Sequence, residues 1–145
     1  MTIGWREWAE LSQWGIRLKA KADTGARSSA IDCAEITELP GDRVRFTVRL
    51  DRKDKKLVIL EEDIVARKKV RSSTGPPTSR IFVETQLRLA GVEKRVVVSL
   101  VSRKRMINRL LLGREALARD FIVDPAVDHW ATPRKLLRKQ PAAGI

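Results

Sequence analysis

A strand and a candidate acidic residue meet in the stretch IRLKAKADTGA, residues Ile16–Ala26. Apolar and basic residues alternate strictly up to Ala22, and a period of two predicts a strand with one buried face. The stretch then continues as Asp23-Thr24-Gly25-Ala26, and Asp, Thr and Gly are all favoured in turns. An aspartate where a strand enters a loop is also exposed enough to react while the sheet behind it holds it. The stretch alone leaves both interpretations open.

A second stretch, LLLGR at Leu110–Arg114, places a short apolar run before Gly-Arg. The residues that follow, up to Arg119, are rich in good helix formers, which predicts one short helix after a glycine. Phe121–Val123 then reads as a strand again. By itself this second stretch is an ordinary succession of strand, glycine turn and helix.

The remaining pattern predicts a mainly β chain. Several further segments are predicted strands, of which Val44–Leu50 and Val83–Ala90 alternate between apolar and polar residues. They follow each other too closely for helices to lie between them, which favours a sandwich or a closed barrel. These segments are Val44–Leu50, Leu57–Leu60, Val83–Ala90 and Arg95–Val101. A chain of 145 residues suits one domain, which we place at 1–125, with a basic and mobile tail at 126–145.

Charge indicates an anionic partner without specifying it. The chain carries 30 Lys and Arg against 18 Asp and Glu, a net charge of +12. Such a charge favours RNA, DNA, a ribosome or an acidic peptide as a partner. For any one basic cluster, such as Arg67–Lys69, a solvated surface is the favoured interpretation. The longest stretch free of charged residues, Ser72–Ser79, is polar, so no transmembrane helix is expected. The first residues lack a secretory pattern, and we expect a cytoplasmic protein.

Several classes of chemistry lack the residues they need. The chain has one histidine, His129, and one cysteine, Cys33, so we expect neither a catalytic zinc site nor any other metal site. We expect Cys33 to be a small buried side chain, because no histidine lies near it in sequence to activate it. The Ser72–Pro77 segment lacks the lysine of a phosphate-binding loop. No cofactor is therefore predicted.

Taken together, the two stretches resemble the retropepsin-like aspartic proteases. That family pairs Asp-Thr-Gly-Ala at the end of a strand with a later hydrophobic-hydrophobic-Gly-Arg strand before a short helix. The wider chain resembles a bacterial branch formerly labelled as ATP-dependent zinc proteases and linked with the ribosomal protein S6 glutamate ligase system. The segments that carry this resemblance are Ile3–Glu7, Lys19–Arg27, Val70–Gly75, Leu111–Leu117 and Phe121–Pro125. The resemblance implies a single-domain closed barrel with one short C-terminal helix.

The resemblance also implies an aspartic endopeptidase that acts as a homodimer. Peptide hydrolysis by this route needs two carboxylates that share one proton, and the aspartic proteases are the standard example of such a pair. This chain has one Asp-Thr-Gly, at Asp23, and is too short for two lobes. The second aspartate must then come from another copy across a two-fold axis.

Roles for neighbouring residues follow from the same resemblance. Thr24 would lock the two loops across the dimer axis, Gly25 would bring its backbone N–H to the carboxylate, and Ala26 would line the floor. In the second motif, Leu112 belongs to the apolar strand, Gly113 would leave room for the aspartate loop, and Arg114 would fix the start of the helix. A flap or substrate-binding element is expected around Val70–Arg80, with these residues as candidates: Arg71, Ser72, Ser73 and Gly75.

Two departures from the family pattern affect details. Arg27 stands where viral retropepsins commonly have an acidic residue that pairs with the arginine of the second motif, so Arg114 needs a different partner. The bacterial branch usually has an acidic residue after its Ser-Ser-x-Gly segment, and this chain has none between Gly75 and Arg80. The old label names zinc and ATP, but the sequence has neither a zinc-ligand pattern nor a phosphate-binding loop.

Two functions of different classes remain, and a third possibility is a retropepsin fold retained as a dimerisation scaffold with little activity. The first is a homodimeric aspartic endopeptidase acting on a protein or peptide substrate that is acidic, glutamate-extended or ribosome-associated. The alternative is a non-catalytic basic β-barrel that binds RNA or a ribosomal protein. Aromatic residues make up 5% of the chain, with no tyrosine, so a platform for stacking bases is poorly supplied.

Overall fold

A computed structural model describes residues 1–51, 56–70, 76–102 and 108–129. In these ranges the chain forms ten strands and one helix of a single turn. The elements are β1 (Thr2–Leu11), β2 (Ile16–Ala22), β3 (Ser29–Leu39), β4 (Arg43–Arg49), β5 (Leu57–Asp63), β6 (Ala66–Val70), β7 (Thr78–Leu89), β8 (Val92–Val101), β9 (Leu110–Leu112), α1 (Arg114–Leu117) and β10 (Ile122–Asp128).

Six of the strands close into a barrel. They follow one another in the order β1-β2-β9-β3-β8-β7, and a short pairing of Glu10 with Arg88 and of Leu11 with Leu87 joins β1 to β7. β10 extends the sheet beyond β1, β6 extends it beyond β7, and β4 and β5 continue from β3. The predicted fold class, a mainly β closed barrel with one short helix, is confirmed.

The short strand β9 brings the two sequence motifs together. It lies between β2 and β3, parallel to β2 and antiparallel to β3, with Leu112 opposite Ala22 and Leu111 opposite Ala30. The loop after β2 and the start of α1 therefore lie at the same end of the barrel. Residues about ninety positions apart in sequence become neighbours in this way.

Apolar side chains of alternating strand positions fill the barrel. Ile16, Leu18 and Ala20 of β2 are buried, as the period of two predicts, and so are Leu110 and Leu112 of β9. Burying this apolar area stabilises the fold by about 25 cal/mol per Å². The helix α1 adds to the core from one end, where its two buried residues are Ala116 and Leu117.

Lys19 departs from the alternation of β2. It lies between apolar positions of the strand, yet it is only 3% exposed, and its ammonium group lies 5.7 Å from the centre of the Trp8 ring on the neighbouring strand. Burial lowers the pKa of Lys19, and the nearby Arg6 charge lowers it further, whereas Asp128 raises it. An aromatic face can therefore bury a lysine that a simple pattern predicts to be exposed.

The chain between α1 and β10 differs from the sequence prediction in two places. The sequence predicts a helix over 114–119, but the helix ends at Leu117, because Ala118 leaves the helical conformation and Arg119 has φ of 74°. β10 then pairs in parallel with β1 and continues to Asp128, past Val123, the end of the strand predicted from the sequence. Pro125 is tolerated there because β10 is an edge strand. The rest of the predicted tail, 130–145, lies outside the described residues.

Within the ranges that the structure describes, no helix is long and apolar enough to cross a membrane.

Candidate active site

Asp23 is the first residue after β2, and backbone contacts fix it there. Its N–H donates to the carbonyl oxygen of Leu112 at 2.8 Å, so the loop begins directly on β9. Its side-chain Oδ1 accepts a hydrogen bond from the backbone N–H of Gly25 at 2.9 Å. The residue is partly exposed. Asp23 is therefore held in one orientation and remains open to solvent, as a reactive acid requires.

The other residues of the first motif shape the loop around this carboxylate. A Cβ at Gly25 would lie 3.2 Å from Asp23 Oδ1, so a side chain there would press on the hydrogen-bonded oxygen. The N–H of Ala26 donates to the carbonyl of Asp23 at 3.2 Å, which closes the turn. Thr24 is exposed at the tip of this turn. An exposed hydroxyl at that place is available for a contact with a second chain.

Gly113 of the second motif packs directly against the loop and leaves no room for a side chain. A Cβ there would lie 2.4 Å from the carbonyl oxygen of Ser28 and 2.9 Å from that of Ala26. The N–H of Gly113 donates to Ser29 Oγ at 3.0 Å, which ties it to the first residue of β3. The backbone conformation itself, with φ of −90°, suits any residue. The requirement for glycine is therefore one of space.

Arg114 binds the backbone of the loop. Its Nη1 donates to the carbonyl oxygens of Thr24 at 3.2 Å and Gly25 at 3.0 Å, and its N–H donates to the carbonyl of Ala26 at 2.8 Å. These carbonyls are the partner that the sequence could not name. Arg114 thus does more than begin the helix, because its guanidinium also holds the loop in place.

Arg27, which replaces the acidic residue of the viral pattern, forms an ion pair with the residue next to Arg114. Arg27 Nε lies 3.2 Å from Glu115 Oε1, and both side chains are largely exposed. The basic residue is therefore in the loop and the acidic residue in the helix, the reverse of the pairing described for viral retropepsins. The N–H of Glu115 also donates to the carbonyl of Arg27 at 3.0 Å.

A cavity of about 700 Å³ opens in front of Asp23. Its wall has an apolar part, from β3, β7, β8 and β9, and a strongly basic part. The described residues that line it are Asp23, Gly25, Ala26, Arg27, Ser28, Ala30, Lys68, Lys69, Val70, Arg80, Phe82, Val97, Val101, Leu111, Arg114 and Glu115. Five of these are Lys or Arg and two are acidic, so the described wall has a positive net charge.

The predicted flap residues Arg71, Ser72, Ser73 and Gly75 lie outside the described residues. The strands on either side of them, β6 and β7, pair as an antiparallel hairpin and supply a large part of the cavity wall. Sequence reasoning missed Lys68 and Lys69 as wall residues, whereas Arg80 is the last residue of the predicted flap element. The available sequence signal was the basic run Arg67–Lys69. A basic run alone is typical of a solvated surface, and only the position of the hairpin beside Asp23 shows that Lys68 and Lys69 line the cavity.

The residues considered for nucleophilic or metal chemistry, Cys33 and His129, are not among the described residues that line the cavity. Cys33 is fully buried in β3, as predicted, and burial together with the Asp32 charge raises the pKa of its thiol to about 12. His129 follows β10, with Nδ1 2.7 Å from Asp128 Oδ1, and burial lowers its pKa. The described ranges contain no group of three or more His, Cys, Asp or Glu side chains that could hold a metal ion.

Comparison with known proteins identifies relatives over most of the chain. A crystal structure of a Legionella pneumophila protein of unknown function superposes with a TM-score of 0.76 at 30% identity, covering 90% of this chain and 97% of that one. Two curated relatives, both named probable alpha-L-glutamate ligase, come from Shewanella pealeana (31% identity over 129 residues) and Desulfotalea psychrophila (32% over 130 residues). Each match covers 86% of this chain and 28% of the relative, so the chain spans little more than a quarter of their length.

The family comparison agrees with the geometry of the loop, β9 and α1. Residues 2–134 match the RimB-like family model, described as retropepsin-like aspartic endopeptidase RimB. That match includes both sequence motifs and every described strand. The chain therefore belongs to the RimB-like family of retropepsin-like proteins.

Proposed function

We propose that this protein is an aspartic endopeptidase whose active site forms between two copies of the chain. The observation that carries the proposal is the fixed position of Asp23. The Asp23 backbone N–H is bound to β9, and the Asp23 carboxylate accepts from the backbone N–H of Gly25. Asp23 lies in the wall of a cavity large enough for several peptide residues. One carboxylate of the pair activates water, and the other protonates the carbonyl oxygen of the cleaved bond.

The acidic residues of the cavity favour a second copy as the source of the other carboxylate. Asp23 and Glu115 are the acidic side chains among the described residues of the wall, and Glu115 is in an ion pair with Arg27. Two carboxylates that share a proton must lie about 3 Å apart. An isologous dimer would bring Asp23 of one protomer to the equivalent residue of its partner, and the exposed Thr24 tip would lie beside the axis.

We infer that the substrate is an acidic protein segment. The wall carries five Lys or Arg side chains, whereas acidic and basic residues are nearly balanced over the whole described part of the chain. The names of the curated relatives add support, because those longer proteins contain a region like this chain and are called glutamate ligases. A chain of glutamate residues attached to a cytoplasmic protein, such as a ribosomal protein, fits both the charge and this association.

The alternative, a barrel that binds RNA, has less support. The β4 cations Arg43 and Arg45 are paired with the β5 carboxylates Asp63 and Glu61. The rings of Trp5 and Trp8 already contact cations of the chain itself. Within the described ranges, β4 and these two tryptophans therefore offer few free charges and few free aromatic faces to a nucleic acid.

Replacing Asp23 by asparagine tests the proposed chemistry. Asparagine keeps the shape and can accept the Gly25 hydrogen bond, but it cannot share a proton as the acid does. We expect cleavage of a glutamate-rich peptide between pH 4 and 7 to fall by at least about 10³-fold, the upper part of the range for general acid–base catalysis. Mass spectrometry of the products measures the rate.

The exposed carboxylate of Asp63 on β5 provides the matched control for this substitution. Asp63→Asn removes the same charge at a residue that does not line the cavity and should leave the rate unchanged. Cleavage by Asp23→Asn at the wild-type rate would rule out the proposed mechanism.

A further inference from the structure

We propose that Lys68 and Arg80 together form a carboxylate-binding subsite that selects an acidic side chain of the substrate near the cleaved bond. The two residues are directly opposite each other in the ladder between β6 and β7. The inference rests on the proposed function for the nature of the substrate, but its test measures binding rather than cleavage.

Lys68 and Arg80 lie on one face of the hairpin, and both line the cavity that contains Asp23, as does Lys69 of the other face. Residues two apart on a strand share a face, and Lys68 shares its face with Val70, as Arg80 does with Phe82. All four of these residues line that cavity. The hairpin therefore forms a basic part of the wall that a substrate bound at Asp23 would contact.

The two cations are close enough to bind one carboxylate together. The Cβ atoms of directly opposite residues in an antiparallel pair are about 5 Å apart. A carboxylate bound between the two groups can accept from the ammonium with one oxygen and from the guanidinium with the other.

The Lys68 side chain is in place to receive such a ligand. Its Nζ lies 5.5 Å from the centre of the Phe82 ring, and Phe82 is only 4% exposed, so a buried ring supports the ammonium group at the cavity wall. Lys68 is exposed and forms no ion pair with any residue in the described ranges. Its neighbour Arg67, on the other face of β6, pairs with Glu38 and Asp42.

A binding measurement tests the subsite. The full chain carrying Asp23→Asn, which prevents turnover, is titrated into a fluorescently labelled peptide of four glutamates, and anisotropy gives the Kd. Lys68→Met and Arg80→Gln should each weaken binding about tenfold, because each removes one charge-assisted hydrogen bond. Lys68→Arg should restore the Kd to within about twofold of the parent, since it restores the charge.

Arg67→Gln is the matched control, because it removes the same charge one residue away at a position that does not line the cavity. The subsite is supported if this variant binds as the parent does while Lys68→Met does not. It is overturned if both variants weaken binding equally, if a peptide of four glutamines binds as tightly, or if the glutamate peptide does not bind at all. Tighter binding of single-stranded RNA at Lys68 would also overturn it in favour of a nucleic-acid ligand.

The outcome is independent of the test of the proposed function. If Lys68-dependent binding of the glutamate peptide is found but the wild-type chain cleaves nothing, the subsite stands and the endopeptidase proposal fails. If cleavage depends on Asp23 but peptide binding is unchanged by the Lys68 and Arg80 substitutions, the endopeptidase proposal stands and the subsite fails.

Discussion

Replacing Asp32 by alanine is expected to lower the free energy of unfolding by about 3–5 kcal/mol, the usual cost of breaking a buried ion pair. Asp32 lies on β3 and is completely buried between two arginines. Its Oδ1 is 2.9 Å from Nη1 of Arg49, and its Oδ2 is 2.7 Å from Nη1 of Arg109. The change removes the carboxylate that compensates these two buried guanidinium groups.

Urea denaturation followed by tryptophan fluorescence measures this loss. Asp63→Ala is the control, because it breaks the ion pair with Arg43, which is of similar length but lies on the surface. Exposed pairs contribute little, so the control should be far less destabilised. If the two variants shifted the urea midpoint equally, the buried network would not have the role that we assign to it.

Replacing Gly113 by alanine is expected to reduce activity about hundredfold and to destabilise the protein by about 1–3 kcal/mol. The new Cβ would lie 2.4 Å from the Ser28 carbonyl oxygen, so backbone must move. The N–H groups of Arg114 and Glu115 bind the carbonyls of Ala26 and Arg27, so the movement is transmitted to the loop that holds Asp23.

Gly41→Ala separates the two effects of the Gly113 substitution. Gly41 has φ of 79° and no heavy atom within 4 Å of an added Cβ, so alanine there strains a distant turn without a clash. This control should lose some thermal stability and keep its activity. The steric role of Gly113 would be refuted if Gly113→Ala cleaved peptide at the wild-type rate while folded.

The sequence predicts most of this fold because its strongest signals are local. The alternation of Ile16–Ala22 gives β2 with the observed bounds, and the Gly-Arg pair gives the start of α1. The helix end and the extension of β10 depend instead on the conformation of Arg119 and on pairing with β1. These features depend on tertiary structure, so the periodicity of the sequence does not predict them.

In the candidate site too, some features can be predicted from the sequence and others depend on tertiary structure. Asp23 can be named from its motif, but the partners of Arg114 are backbone carbonyls, which no residue type reveals. Arg27 and Glu115 are 88 positions apart, and Lys68 becomes a wall residue only when its hairpin is placed beside β3 and β9. Asp32 and its two arginines give no sequence signal either, since isolated charged residues in strands are usually exposed.

The central claim is that two chains supply one active site, and mixing of subunits tests it most directly. Wild-type chain at a fixed concentration is refolded together with increasing amounts of Asp23→Asn chain, and the rate of cleavage of a glutamate-rich peptide is measured. For random pairing in a dimer, an equal amount of the variant should reduce the rate to roughly half, and a large excess should abolish it. A rate that stays constant at every ratio would contradict the account, because each wild-type chain would then be active by itself.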